Sequence, residues 1–159
     1  MLMLEALGAQ AAGLDPELGL DKHFYNLATD GRKAVIGLET AESQMDRFDK
    51  MPDAMQEQML QQRARGNGYR ANRACAALLT AWQTGDAPAI EKMLLSSFSS
   101  NPTAYASLIT ERNRNWMPQL ETCLKRASPC FVIVGAAHLV GPQGLVAMLQ
   151  QKGYRVEQQ

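Results

Sequence analysis

Apolar residues in this chain recur mostly three and four positions apart, the spacing that lines one face of an α-helix. Leu2, Leu4, Leu7 and Ala11 show it weakly before Gly13-Leu14-Asp15-Pro16, which spells a turn. The pattern predicts a helix from near Pro16 through Leu20, Phe24, Tyr25 and Leu27 to Ala28, with Gly31 in the left-handed position that stops it. Met45, Phe48, Met51, Met55, Met59 and Leu60 form a second stripe, broken in two at Pro52 because proline cannot continue a helical ladder. Such a stripe can bind peptides adaptably, and is more ordinarily plain core. Arg65-Gly66-Asn67-Gly68 is a loop, after which Ala74, Leu78, Leu79 and Trp82 mark a helix that stops at Gly85. Asp86 caps a short helix through Ile90, Met93, Leu94 and Phe98. Ser96–Ser100 reads as a linker, and Asn101-Pro102-Thr103 opens the longest helix, to about Arg126.

Two runs break the helical period. Lys33 to Leu38, centred on Val35 and Ile36, and Phe131 to Val134 are short and flanked by helices, so both read as buried strands. Gly141-Pro142 is expected to start a final helix, with Leu145, Met148 and Leu149 inward and Gly153 at its end. Tyr154 to Glu157 reads as a last strand. The expected fold class is therefore α/β (or α+β): strand-bearing segments at 33–39 and 130–159 around an all-helical insertion of residues 40–126. Two or three strands make a poor sheet, so completion by further strands or by a homodimer is expected.

Function can be narrowed by what is missing. Lys+Arg and Asp+Glu both number 16, which gives no electrostatic reason to expect nucleic acid. The cluster Arg63, Arg65, Arg70 and Arg73 reads as a solvated helix face. Phe131 to Val140, interrupted by His138, is about half the ~20 residues a transmembrane helix requires. Met1 to Leu7 carries Glu5 and no basic stretch, so it does not read as a signal peptide and reads better as a cut end. Cys75, Cys123 and Cys130 lack zinc-site spacing. Cys123 and Cys130 can approach each other, as reduced thiols in a cytosolic setting or as a disulfide in an oxidising one. Nucleophile elbows, phosphate loops and dinucleotide fingerprints are absent.

Chemistry concentrates at the ends of the two predicted strands. Glu39 follows the first, and His138 follows the second after Gly135-Ala136-Ala137, where small residues permit a tight turn and leave room beside the imidazole. A carboxylate and an imidazole at one sheet edge suit metal ligation or acid/base work; the bland alternatives are a helix-capping Glu39 and a hydrogen-bonded core His138. On the long helix the stripe Tyr105, Leu108, Ile109, Trp116, Leu120, Leu124 places Arg112 or Asn113 on the inward face. Arg112 therefore either pairs with Glu39 at that edge or snorkels to water. Pro118 should kink this helix. His23, with no ligand-type partner one turn away, reads as a surface histidine.

Gly37-Leu38-Glu39-Thr40, Glu111-Arg112-Asn113, and Val134-Gly135-Ala136-Ala137-His138-Leu139 followed by Gly141-Pro142 and Gly153-Tyr154 together resemble the TraB/GumN family. Leu20-Asp21-Lys22-His23-Phe24 and Trp82…Gly85-Asp86 extend the resemblance over nearly the whole chain. The resemblance implies a domain related to Tiki proteases and to haem-binding ChaN-like proteins, with two G-x-x-H motifs and a glutamate holding a divalent metal (Mn, Co or Zn) for hydrolysis. Gly135 to His138 matches the second G-x-x-H, Glu39 the glutamate, and Arg112 and Asn113 the E-R-N element. The first G-x-x-H is absent here, so the chain is expected to correspond to the carboxyl-terminal part of such a domain, weakly active or inactive alone. Family members lie in the periplasm or cell envelope. A peptide or small molecule is the implied substrate; the alternative is a non-enzymatic peptide- or haem-binding protein, with His138 as axial ligand and Gly135 beside the cofactor.

Overall fold

A computed structural model of the protein describes residue 10 and residues 13–65, 68–96, 98–99 and 101–159. The expectations for Leu2, Leu4, Leu7 and Ala11, and for Gly66 and Asn67 of the predicted loop, lie outside the described residues. The chain divides into two compact units, one of Met1–Gly37 and Met51–Ala77, the other of Leu38–Lys50 and Leu78–Gln159.

In the first unit Asp15 accepts from the Glu17 N–H at 2.9 Å and caps a 3-10 turn, Pro16–Leu18. Helix α1, Leu20–Asp30, follows. Its end departs from expectation: Gly31 has φ −77°, and Arg32 takes the left-handed conformation at φ 53°. The Gly31 N–H still closes the turn on Leu27 O at 3.0 Å, so the strain passes to the arginine behind it. Met51 is the buried methionine of the predicted stripe, while Met55 and Met59 are half-buried on α3, Asp53–Arg65.

The second unit carries α2, Ala41–Asp49, capped as expected by Thr40 Oγ1, which accepts from the Ser43 N–H at 3.0 Å. Helix α4 runs Gly68–Gln83, of which residues 78–83 belong to this unit, and α5 is Ala87–Ser96. Asp86 accepts from the Ala89 N–H at 3.0 Å to cap α5. Asn101 caps α6, Pro102–Tyr105, through the Ala104 N–H at 3.0 Å. A π-turn, Ala106–Thr110, then leads straight into α7, Glu111–Leu124, with Pro118 inside it. The expected long helix is thus one rod with a widened turn just ahead of its polar residues, a common position for functional side chains.

Trp116, Met117, Leu120 and Leu145 form the buried core, with Leu38, Val134, Met148 and Leu149 packed against it. Leu145 opens α8, Leu145–Gln151, which begins three residues later than a helix with Pro142 at its first position. Gly141 and Pro142 lie instead in a preceding turn, where Gly141 takes φ 82° and Gly144 becomes the N-cap. A Cβ on Gly141 would come 2.7 Å from Leu95 Cδ1, so α5 closes tightly over this turn. Gly153, at φ 87°, ends α8 as predicted.

The α/β expectation is overturned: the described residues are helical, with no strand or sheet. Segments 33–39 and 130–159 therefore bear no strands. A strand exists only through a partner's hydrogen bonds, and none of these apolar runs has a ladder. Val35 and Ile36 are 52% and 64% exposed and Phe131 is 72% exposed, the opposite of a buried sheet. The apolar signal of the second run is used in another way, through Val134 packing on the helical core.

Candidate functional site

Four residues from three separated segments meet in the second unit. Glu39 stands directly before the N-cap of α2, and its loop is tied to α7 by Gln119 Nε2, which donates to Leu38 O at 3.1 Å. Arg112 and Asn113 occupy the first turn of α7. His138 closes the 3-10 turn Ala136–His138, whose chain reversal is fixed by the His138 N–H donating to Gly135 O at 2.9 Å.

Arg112 is the hub. Its Nη2 and Nε donate to the two Glu39 oxygens at 2.6 and 3.2 Å, a forked pair that only guanidinium geometry supplies. Nη1 donates to Leu108 O at 3.1 Å, in the π-turn, and lies 3.1 Å from His138 Nε2. The guanidinium also sits 4.8 Å above the Trp116 ring, which itself packs against the imidazole at 4.6 Å between centroids. The Arg112 and Glu39 side chains keep 15% and 16% exposure, so the pair borders solvent.

Asn113 fixes the imidazole from the other side. Its Nδ2 donates to His138 O at 3.1 Å and to Gln143 O at 2.7 Å. Both amide hydrogens are then committed, so Oδ1, 2.7 Å from His138 Nδ1, must accept. His138 is therefore the Nδ1–H tautomer, with its Nε2 lone pair facing Arg112. Burial, then the Arg112 charge, push the imidazole down to about 4 against the upward pull of Glu39. At neutral pH the cluster holds one carboxylate, one guanidinium and a neutral ring, so its buried charge is balanced.

The sequence pattern names Glu39, Arg112, Asn113 and His138 as candidates, and the structure brings all four together. Gly135 is adjacent, but a Cβ there would meet His138 Cδ2 at an ordinary 3.8 Å, so no close approach demands glycine. Sequence reasoning did not find Trp116 as a member of the site; it stood only in the apolar stripe. The Trp116 Nε1 is buried without a partner among the described residues, a polar signal that only tertiary placement reveals. The carbonyls of Leu108 and Gln143 were equally invisible, since any residue type carries them. Cys123 and Cys130 form a disulfide, with Cα atoms 5.9 Å apart, at the end of α7. It borders an apolar cavity of about 350 Å³ lined by Leu120, Val132, Val134, Leu139 and Leu149.

A divalent metal implied by resemblance does not fit this arrangement. Zinc sites use three or four protein donors, and no group of three or more His, Cys, Asp or Glu converges among the described residues. Glu39 and His138 supply two donors, and Arg112 occupies both. Haem fits no better: both His138 nitrogens are engaged, and the apolar cavity presents no histidine or methionine and only disulfide-bonded cysteines. No helix among the described residues is long and apolar enough to cross a membrane.

Comparison with known proteins finds relatives along most of the chain. The chain is 30% identical over 155 residues to the uncharacterized protein YbaP of Escherichia coli (strain K12), and to its namesake in Shigella flexneri. The aligned region covers 94% of this chain and 54% of each relative, so the chain spans about half the length of the curated relatives it matches. No solved structure matches. The TraB/PrgY/gumN family description matches residues 1–158, and the chain belongs to that family.

Proposed function

We propose that this chain carries the Glu–Arg–His part of a hydrolase-type site that recognises peptide carbonyls, and that alone it turns such substrates over slowly at best. The observation that supports this is the convergence of Glu39, Arg112, Asn113 and His138 at the start of α7, where the Arg112–Glu39 pair borders solvent. Arg112 has five N–H donors. Two go to Glu39, one to Leu108 O and one to His138, which leaves one Nη2 hydrogen for a ligand. A guanidinium held this rigidly can polarise a carbonyl and stabilise negative charge developing on its oxygen. Glu39 holds the fork in place. His138, kept neutral, steadies the guanidinium from the other side through its Nε2 lone pair, and Asn113 keeps the ring in the tautomer that makes this so.

The test combines binding and cleavage. In a Trp82→Phe background the fluorescence of Trp116 reports on the site, since its ring touches both Arg112 and His138. Unstructured peptides should shift that emission and be cleaved slowly, as seen by mass spectrometry, and Arg112→Ala should lose both effects while keeping its far-UV signal. Saturable binding without cleavage would favour the non-enzymatic alternative. Peptides that neither perturb Trp116 nor are cut would remove the reading.

A further inference from the structure

We propose that Arg112 is the site's built-in cation: its guanidinium occupies the place a divalent metal would take between Glu39 and His138, and so keeps that pair from binding one. This deepens the functional reading and rests on it only for the choice of Glu39 and His138 as the pair.

The geometry carries the point. A metal shared by the two side chains would need a Glu39 oxygen and a lone pair on His138 Nε2. Both Glu39 oxygens already accept from Arg112, at 2.6 and 3.2 Å, and Nε2 faces Nη1 at 3.1 Å. The other ring nitrogen cannot substitute, because Nδ1 is committed to Asn113 Oδ1 at 2.7 Å in a fully buried side chain. The guanidinium is itself fixed by Leu108 O and by the face of Trp116, so it does not swing away freely. A dication entering beside it would meet like charge at a distance of a few ångströms, where repulsion in a half-buried site is strong. One fixed monovalent cation thus satisfies both groups that the resemblance assigns to metal.

Two consequences follow. The wild-type chain should be indifferent to divalent metals at concentrations that load ordinary zinc sites. Removing the positive charge while leaving a polar side chain should expose a carboxylate and an imidazole already oriented toward one point.

The experiment uses the full chain and the metals alone, with no peptide, so its outcome is independent of whether the site acts on peptides. Zn²⁺ is titrated into wild type, Arg112→Gln and Arg112→Lys, following thermal unfolding; Co²⁺ is then added to read its visible ligand-field bands. Far-UV spectra establish that each variant is folded. Wild type and Arg112→Lys should show no shift and no cobalt spectrum. Arg112→Gln should bind Zn²⁺ at least about tenfold more tightly than wild type, because the repulsive charge is gone. Adding His138→Ala to Arg112→Gln should abolish the gain. Zinc stabilisation of wild type that disappears in Glu39→Ala and His138→Ala would overturn the proposal, because the arginine would then not exclude the metal. A folded Arg112→Gln with no zinc response would overturn it equally, because the two donors would then not converge. If Arg112→Gln does not fold, the wild-type and Arg112→Lys titrations still decide: metal binding at the pair in either one refutes the charge-exclusion account.

Discussion

Replacing Asn113 with alanine removes a side chain with 0% exposure that makes three hydrogen bonds. Two carbonyls, of His138 and Gln143, lose their donor, and the His138 Nδ1–H loses its acceptor. Each buried polar group left unpaired costs about 1–3 kcal/mol. The space vacated by the amide is large enough for water to recover part of this, so the three together should cost about 3–5 kcal/mol. Urea unfolding followed by Trp116 fluorescence in a Trp82→Phe background gives the number for the unit that contains the site. The denaturant slope should stay the same, so the loss appears as a lower midpoint. Asn113→Asp supplies a control on mechanism: it keeps the acceptor for Nδ1–H but has no donors for the carbonyls, and adds a negative charge beside the ring. Its His138 should titrate at higher pH than in wild type. A loss below about 1 kcal/mol for Asn113→Ala, with an unchanged slope, would mean the amide does not hold the 138–143 turn to α7.

Three further outcomes can be checked alongside it. His138 titrates near 4 when folded against an ordinary 6.5, so the unfolded chain binds the extra proton first as pH falls. Its contribution, up to about 3 kcal/mol, should be complete above pH 6.5 and lost on descent towards pH 4, a slope that His138→Gln should flatten. Gly144→Ala should destabilise by about 1–3 kcal/mol, because its Cβ would collide with the backbone oxygens of Leu139 and Val140, which cannot give way as a side chain can. Reduction of Cys123–Cys130, seven residues apart, should cost about 2.5 kcal/mol by loop entropy; the unfolding midpoint with and without a dithiol measures it.

The helix boundaries were legible where one side chain decides them locally. Thr40, Asp86 and Asn101 each accept a backbone N–H three residues on, and Gly153 supplies a left-handed stop. Gly31 misled because the turn needed its left-handed residue one position later, at Arg32, and sequence alone does not fix that offset. The strands could not be read because an apolar run states only that burial is wanted, not what will bury it. Val134 found a helical core, while Phe131 stays 72% exposed. At the site, helical periodicity placed Arg112 or Asn113 inward, and the tight turn at Gly135 placed His138 within reach. What no pattern could show was which partner each would take. The Arg112–His138 contact and the stacking on Trp116 depend on angles between segments far apart in sequence.

The π-turn at Ala106–Thr110 also bears on how this region can change over generations. A π-turn holds one residue more than a regular α-turn, so a single deletion inside it can be taken up by tightening to α-helix, with α6 and the polar turn of α7 left nearly in register. Arg112 and Asn113 would then still face Glu39 and His138. The same deletion in the regular turn between Glu111 and Trp116 has no such slack and would rotate the residues after it by about 100° relative to those before it. Alignments of related chains should therefore place any one-residue length difference between Asn101 and Asn113 within Ala106–Thr110.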